Sequence, residues 1–153
     1  MSSEKVHVKL GLSGTYWDRK PQYRVELNGV VLHEATIQAD SNTVEYLEFD
    51  VEYLTSTASL SIVLLNKLPT DTVENADKTA IVKDMLLNII SVEVDEIDLG
   101  MIPFEQGVYT PNAPVVFNGE TTNSLKNCLN LGWNGTWTLT WNNPFYIWLL
   151  ENI

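Results

Sequence analysis

Apolar and polar residues alternate one by one through most of the chain. Val6, Val8, Leu10 and Leu12 are separated by His7, Lys9 and Gly11. Successive strand side chains point to opposite faces, so this pattern predicts a first strand with one face in a core and the other in water. Tyr23, Val25 and Leu27 repeat it, and Asn28-Gly29 then supplies the positive φ angles of a two-residue hairpin. Residues 30–37 are therefore predicted as the returning strand.

A fourth strand is predicted over 43–53, where the apolar phase shifts between Tyr46 and Leu47 and calls for a bulge that absorbs one residue. Ala58, Leu60, Ile62 and Leu64 make a fifth strand ending at Asn66. Residues 87–94 make a sixth, apolar on both sides as a central sandwich strand would be. Between them, 67–83 is the longest irregular segment. From Leu99-Gly100 to Asn127 the chain turns to Pro, Gly, Asn and Thr, which predicts long loops with short strands. Trp137, Leu139 and Trp141 alternate again, Asn142-Asn143-Pro144 turns, and 145–150 is predicted as a closing strand paired deep in a sheet. No stretch of ten or more residues shows a helical period. Eight to ten short strands between turn signals predict an all-β, two-sheet antiparallel β-sandwich of the jelly-roll kind, as one domain over 1–153.

Composition narrows the function classes. The 153 residues are 44% hydrophobic and 19% charged, enough apolar surface for one folded core. A formal net charge of −11 disfavours a nucleic-acid partner, which needs clustered Lys and Arg against phosphates. The same acidity serves either as a solvated surface or as oxygen ligands for hard cations. Cys128 is the only cysteine, so no intrachain disulfide or thiolate metal cluster forms. Residues 1–8 lack the apolar run of a secretory signal, and no run reaches the roughly 18 apolar residues of a membrane span. Synthesis in the cytoplasm with no membrane partner is the expectation.

Catalytic chemistry has little to work with. His7 falls on the polar face of the first strand and His33 within the third, both expected to face solvent. Cys128 is expected to be a small buried hydrophobe. Glu45, Glu48, Asp50 and Glu52 form a polar strand face rather than the converging pair that glycoside hydrolysis requires. No phosphate loop, GxSxG elbow or HExxH occurs, so a non-enzyme is expected.

Two constellations point to binding. The segment 66–84 holds Asn66, Asp71, Glu74, Asn75, Asp77 and Asp84. An acidic loop between rigid strands is either an ordinary solvated loop, with Lys67, Lys78 and Lys83 as counter-charge, or a calcium cage, for which Asn66, Asp71, Asp77 and Asp84 are the candidate ligands. The second constellation is aromatic. Tyr16 and Trp17, flanked by Asp18, Arg19 and Lys20, are the candidates for an exposed platform that stacks on a glycan or a partner. Trp133, Trp137, Trp141 and Trp148 crowd the C-terminal end, and alternation with Leu139 assigns Trp137 and Trp141 to the core.

The run ending in Leu27-Asn28-Gly29, then Leu60-Ser61-Ile62-Val63-Leu64-Leu65-Asn66, a loop, Asp84, and 87–94 followed by Asp95, resembles the jelly-roll domain of calcium-dependent xylan-binding carbohydrate-binding modules. The resemblance covers residues 5–98. It implies that Asn66 and Asp84 lie at a calcium site, with Lys67 in place of an acidic partner, Ile90 where an acidic residue is usual and Glu96 in place of a turn glycine. The whole chain, with its closing Phe-Tyr-Ile-Trp-Leu-Leu-Glu-Asn-Ile run, is also similar in style to small accessory proteins of tailed-phage particles. That likeness implies a virion protein made in the host cytoplasm, decorating capsid or tail, contacting other virion proteins or itself as a homo-oligomer, or touching host polysaccharide. The alternatives are a free-standing calcium-dependent polysaccharide-binding protein and a glycoside hydrolase.

Overall fold

Short strands joined by tight turns dominate the computed structural model, which describes residues 5–52 and 57–153. In chain order the strands are β1 (Lys5–Thr15), β2 (Gln22–Leu27), β3 (Val30–Thr36), β4 (Glu45–Glu52), β5 (Thr57–Leu64), β6 (Val73–Glu74), β7 (Ile81–Lys83), β8 (Leu86–Val94), β9 (Ile97–Asp98), β10 (Val108–Pro111), β11 (Val115–Phe117), β12 (Glu120–Thr122), β13 (Leu125–Lys126), β14 (Asn130–Leu131) and β15 (Gly135–Asn142). Two short helices, α1 (Ile102–Gln106) and α2 (Phe145–Asn152), join them. One sheet runs β14-β8-β1-β4 with β9 on β8, the other runs β13-β10-β15-β5-β2-β3, and every pairing is antiparallel. The predicted two-sheet sandwich is what forms. No helix among the described residues is long and apolar enough to cross a membrane.

Alternation decides which side chains fill the space between the sheets. Val8, Leu10 and Leu12 of β1 meet Val25 of β2, Leu60, Ile62 and Leu64 of β5, Leu87 of β8 and Trp137 and Leu139 of β15, all fully buried. The Asn28-Gly29 turn has φ of 50° and 81°, the mirror-image geometry that the strand twist favours, and it pairs β2 with β3 as predicted.

Four expectations change. β4 carries no bulge: its register with β1 is unbroken from Lys5↔Glu52 to Leu12↔Glu45, and Tyr46 simply turns outward beneath the Lys9 ammonium, 4.9 Å from the ring centroid. Cation–π attraction makes that outward aromatic tolerable. Tyr53, at the end of the predicted fourth strand, lies outside the described residues. β8 is not apolar on both faces as a central strand would be. Its register with β1 slips between Ser91 and Ile89, so Ile90 is the extra residue of a bulge and is half exposed, while Leu87, Ile89, Val92 and Val94 stay inside. His33 does not face solvent either, because β3 is bulged at Leu32. Its ring lies 5.9 Å from Tyr23 and 6.1 Å from Phe49, closing one side of the sandwich between β3 and β4. Finally, 145–150 is not a strand but the first part of α2.

His7 does stand on the polar face, held by Asp50 through Nδ1 at 2.8 Å and by Glu48 through Nε2 at 3.0 Å. Hydrogen bonds to these two carboxylates raise its pKa above the usual histidine value. Cys128 is half-buried against the core and donates to the Asn130 carbonyl; burial pushes its thiol up, away from nucleophilic use.

Candidate functional site

Where the end of β10, the β11–β12 hairpin, the β14–β15 junction and the segment after β5 meet, they enclose a cleft of about 580 Å³. Such a volume is in the range of small-molecule sites. Each wall has a local cause. Gly132-Trp133-Asn134 turns the chain from β14 into β15, which sets Trp133 on the cleft rather than in the alternating core. Its backbone is clamped by the Tyr109 hydroxyl, which donates to the Trp133 carbonyl and accepts from the Trp133 amide. Burial pushes the Tyr109 phenol well above its usual range, so it stays protonated and able to donate. Phe117, at the tip of the β11–β12 hairpin whose Asn118-Gly119 turn has φ of 52° and 80°, meets the Trp133 ring edge-on at 82° and 6.4 Å. Leu68, Pro69, Pro114 and Val116 add apolar wall.

Polar groups at the cleft are few and unequal. Asn134 is committed to the framework: its Oδ1 accepts from the Lys67 amide at 2.6 Å and its Nδ2 donates to the Lys67 carbonyl at 2.9 Å. Thr72 donates its hydroxyl to Asp84. Lys67 turns its ammonium away, to Asp84 Oδ1 and the Met85 carbonyl, both at 2.7 Å. Asn112 is exposed, and its side-chain amide has no partner among the described residues. The lining therefore offers apolar and aromatic surface, one free amide, and no Asp, Glu or His.

In fold the chain is similar to two solved structures. One is vCBM60 in complex with galactobiose, at 12% sequence identity and a TM-score of 0.56, covering 86% of this chain and 95% of that one. The other is a selenomethionine form of vCBM60, described with an evolutionary link between two families of calcium-dependent carbohydrate-binding modules, at 13% identity and a TM-score of 0.55, covering 87% and 88%. No protein-family model and no curated protein sequence matches the chain. The likeness establishes the carbohydrate-binding-module-like sandwich.

Against that fold, the candidate residues fall as follows. Asn66, Asp71 and Asp84 frame the segment after β5, but the four predicted calcium ligands do not close into one cage. Asp77 is exposed in the turn between β6 and β7. Asn66 spends Oδ1 on the Gln22 amide at 2.8 Å and Nδ2 on the Lys20 carbonyl at 3.0 Å. Asp71 is buried and receives Arg19 through two bonds, at 3.1 and 2.7 Å, plus the Leu68 amide at 2.7 Å. The Arg19 guanidinium holds this carboxyl below the usual range. Among the described residues no group of three or more His, Cys, Asp or Glu converges as metal ligands would. The donor set therefore does not fit calcium, which asks for six to eight oxygens with lone pairs to spare.

Tyr16 and Trp17 are less open than predicted. Tyr16 is half-buried, donates its hydroxyl to the Ala39 carbonyl at 3.0 Å and carries Lys20 over its ring. Trp17 is exposed, yet its indole N–H is tied to the Asp71 carbonyl at 2.9 Å and Lys83 sits 4.8 Å above its ring. Trp137 and Trp141 are core residues as expected, with Trp148 beside them. Sequence reasoning named Trp133 and Arg19 without assigning them to a site, and did not single out Phe117 or Asn112. The available signal was Trp133 between Gly132 and Gly135, an indole placed in a turn rather than in an alternating run.

Proposed function

We propose that this chain is a non-catalytic binding domain that takes a neutral carbohydrate in the Trp133 cleft. The observation that carries the reading is the lining itself. Trp133, braced edge-on by Phe117, presents aromatic surface on which the C–H face of a sugar packs, the Asn112 side-chain amide is free to donate to and accept from hydroxyls, and the basic group in the wall is turned away and paired. A charge of −11 on the chain repels polyuronates, which favours uncharged glycans. With no carboxylate in the lining, the paired acids of a hydrolase have no place there. The likeness to a module solved with galactobiose supports the same class of ligand.

Titration calorimetry with galactobiose and with xylan-derived oligosaccharides tests this. Trp133→Ala is expected to weaken binding at least ~30-fold, the effect of a central aromatic hot spot, whereas Trp17→Ala changes it less than about threefold. Equal binding by wild type and Trp133→Ala, or no binding of either sugar class by wild type, would remove the proposal.

A second reading, a structural accessory protein of a tailed-phage virion, draws support from α2. Tyr146, Ile147, Leu150 and Ile153 are all exposed, and a helix with apolar residues on its outer side is suited to burial against another surface. This reading expects self-association or binding to virion proteins. A strictly monomeric sedimentation profile at high concentration, together with absence of the chain from intact particles by mass spectrometry, would end it.

A further inference from the structure

We infer that two basic side chains, Arg19 and Lys67, take the place of a divalent cation in this chain, so that the sandwich and its cleft are held without calcium. The starting point is the disagreement between a calcium-dependent fold neighbour and the donor set present here.

The segment from Asn66 to Met85 leaves β5, passes a single helical turn at Pro69–Asp71 and the β6–β7 ribbon, and returns into β8. Excursions of this length need cross-links, and here they are side chains. The Arg19 guanidinium reaches from the β1–β2 loop to both oxygens of Asp71 and also donates to the Asn66 carbonyl. It thereby ties three parts of the chain together. Lys67, only 9% exposed at its side chain, joins the start of the segment to its end through Asp84 and the Met85 carbonyl. Asp84 Oδ1 also accepts from Thr72 at 2.7 Å and from the Met85 amide at 2.9 Å.

Two carboxylates face two fixed cations, so the region is already neutral. A calcium ion entering it would meet two like charges at close range, and would find both Asp71 oxygens and Asp84 Oδ1 already engaged by N–H and O–H donors. The ammonium and guanidinium provide what a metal would provide, a point of convergence for oxygens from distant stretches, with a planar fork suited to Asp71 and a compact charge suited to Asp84. Lys67, Leu68 and Thr72 also line the cleft, so the same two links set one of its walls.

The test is thermal melting of the whole protein, stripped with EDTA and then supplied with millimolar calcium chloride. The expected result is the same Tm within about 1 °C in both, because a ligand that does not bind cannot shift the equilibrium; a Tm that climbs with calcium concentration overturns the inference. A double-mutant cycle supplies the second arm. Lys67→Met and Asp84→Asn are each expected to lower Tm, on the order of 10 °C for a broken, largely buried pair. The double variant should lose clearly less than the sum. Additive losses, or a Lys67→Met protein that melts like wild type, overturn the cross-link. Melting is read without saccharide, so this outcome is separate from that of the Trp133 binding experiment.

Discussion

Gly135→Ala is expected to lower stability by about 3 kcal/mol, at the upper end of what overpacking costs, and Tm by roughly 6–12 °C. A Cβ at this position would lie 2.5 Å from Pro111 Cα and 2.5 Å from the Thr110 carbonyl oxygen. Both obstacles are backbone, so no rotamer change relieves them. Gly135 sits opposite Pro111 on β10 and opposite Leu64 on β5, and relief therefore requires β10 to part from β15. The damage would reach the cleft, since Pro111, Asn112 and Asn134 are at this junction and the Asn112 backbone N–H donates to the Asn134 backbone carbonyl at 2.9 Å. Gly29→Ala is the control. At φ 81° with nothing within 4 Å of the new methyl, it carries only the backbone penalty, ~1 kcal/mol. Denaturant unfolding of both variants decides the matter: a loss at Gly135 no larger than at Gly29 would mean the strands are not held this close.

The contrast between those two glycines mirrors what was legible in the sequence. Gly29 announces itself, because Asn-Gly between two alternating runs has one local solution. Gly135 lies in a Trp-Asn-Gly-Thr stretch, and its necessity appears only when β10 is laid beside β15. Burial by period two was readable wherever strands are regular: Val8, Leu10, Leu12, Leu60, Ile62, Leu64, Trp137 and Leu139 all point inward as expected. It failed at Ile90, where a bulge shifts the phase, and at Tyr46, where an aromatic outside was taken for a slip in register. Alternation names a face; it does not name the strand across from it.

The same limit governs the site. The carboxylates of the 66–84 segment are plain in the sequence, but their partners are fixed by tertiary structure. Arg19 is 52 residues from Asp71, and nothing in the Arg19 neighbourhood points there. Lys67 was visible as the residue replacing an acidic partner. Its meaning became physical only with its ammonium placed on Asp84. Trp17 looked like an open platform because charged neighbours usually accompany exposure, and those very neighbours, with Lys83, are what pin the loop down.

Trp148→Ala is expected to cost about 3–5 kcal/mol, the usual toll of truncating a buried large aromatic, while Leu150→Ala stays within ~0.5 kcal/mol. The pair discriminates the helix from the strand predicted for this run. In a strand, residues 146, 148 and 150 would share one face and respond together. In α2, Phe145 and Trp148 stand one turn apart on the inner side, fully and almost fully buried, while Tyr146, Ile147 and Leu150 face outward, Leu150 at 73% exposure. Phe145 meets Trp141 edge-on at 6.0 Å and Trp148 at 6.0 Å, so the helix is held by an aromatic stack continuing the β15 face. The start of the helix follows from Pro144, whose fixed φ suits a helix entry and whose carbonyl accepts from the amides of Ile147 and Trp148. Its end is fastened by Asn152, which donates to the Trp148 carbonyl at 2.7 Å and accepts from Gln106 of α1 at 2.8 Å. Large apolar side chains at every position imitate a buried strand, and the inner positions alone carry the docking energy. Melting curves of the two variants, with far-ultraviolet circular dichroism to follow the helix, give the answer: equal losses at 148 and 150 would restore the strand.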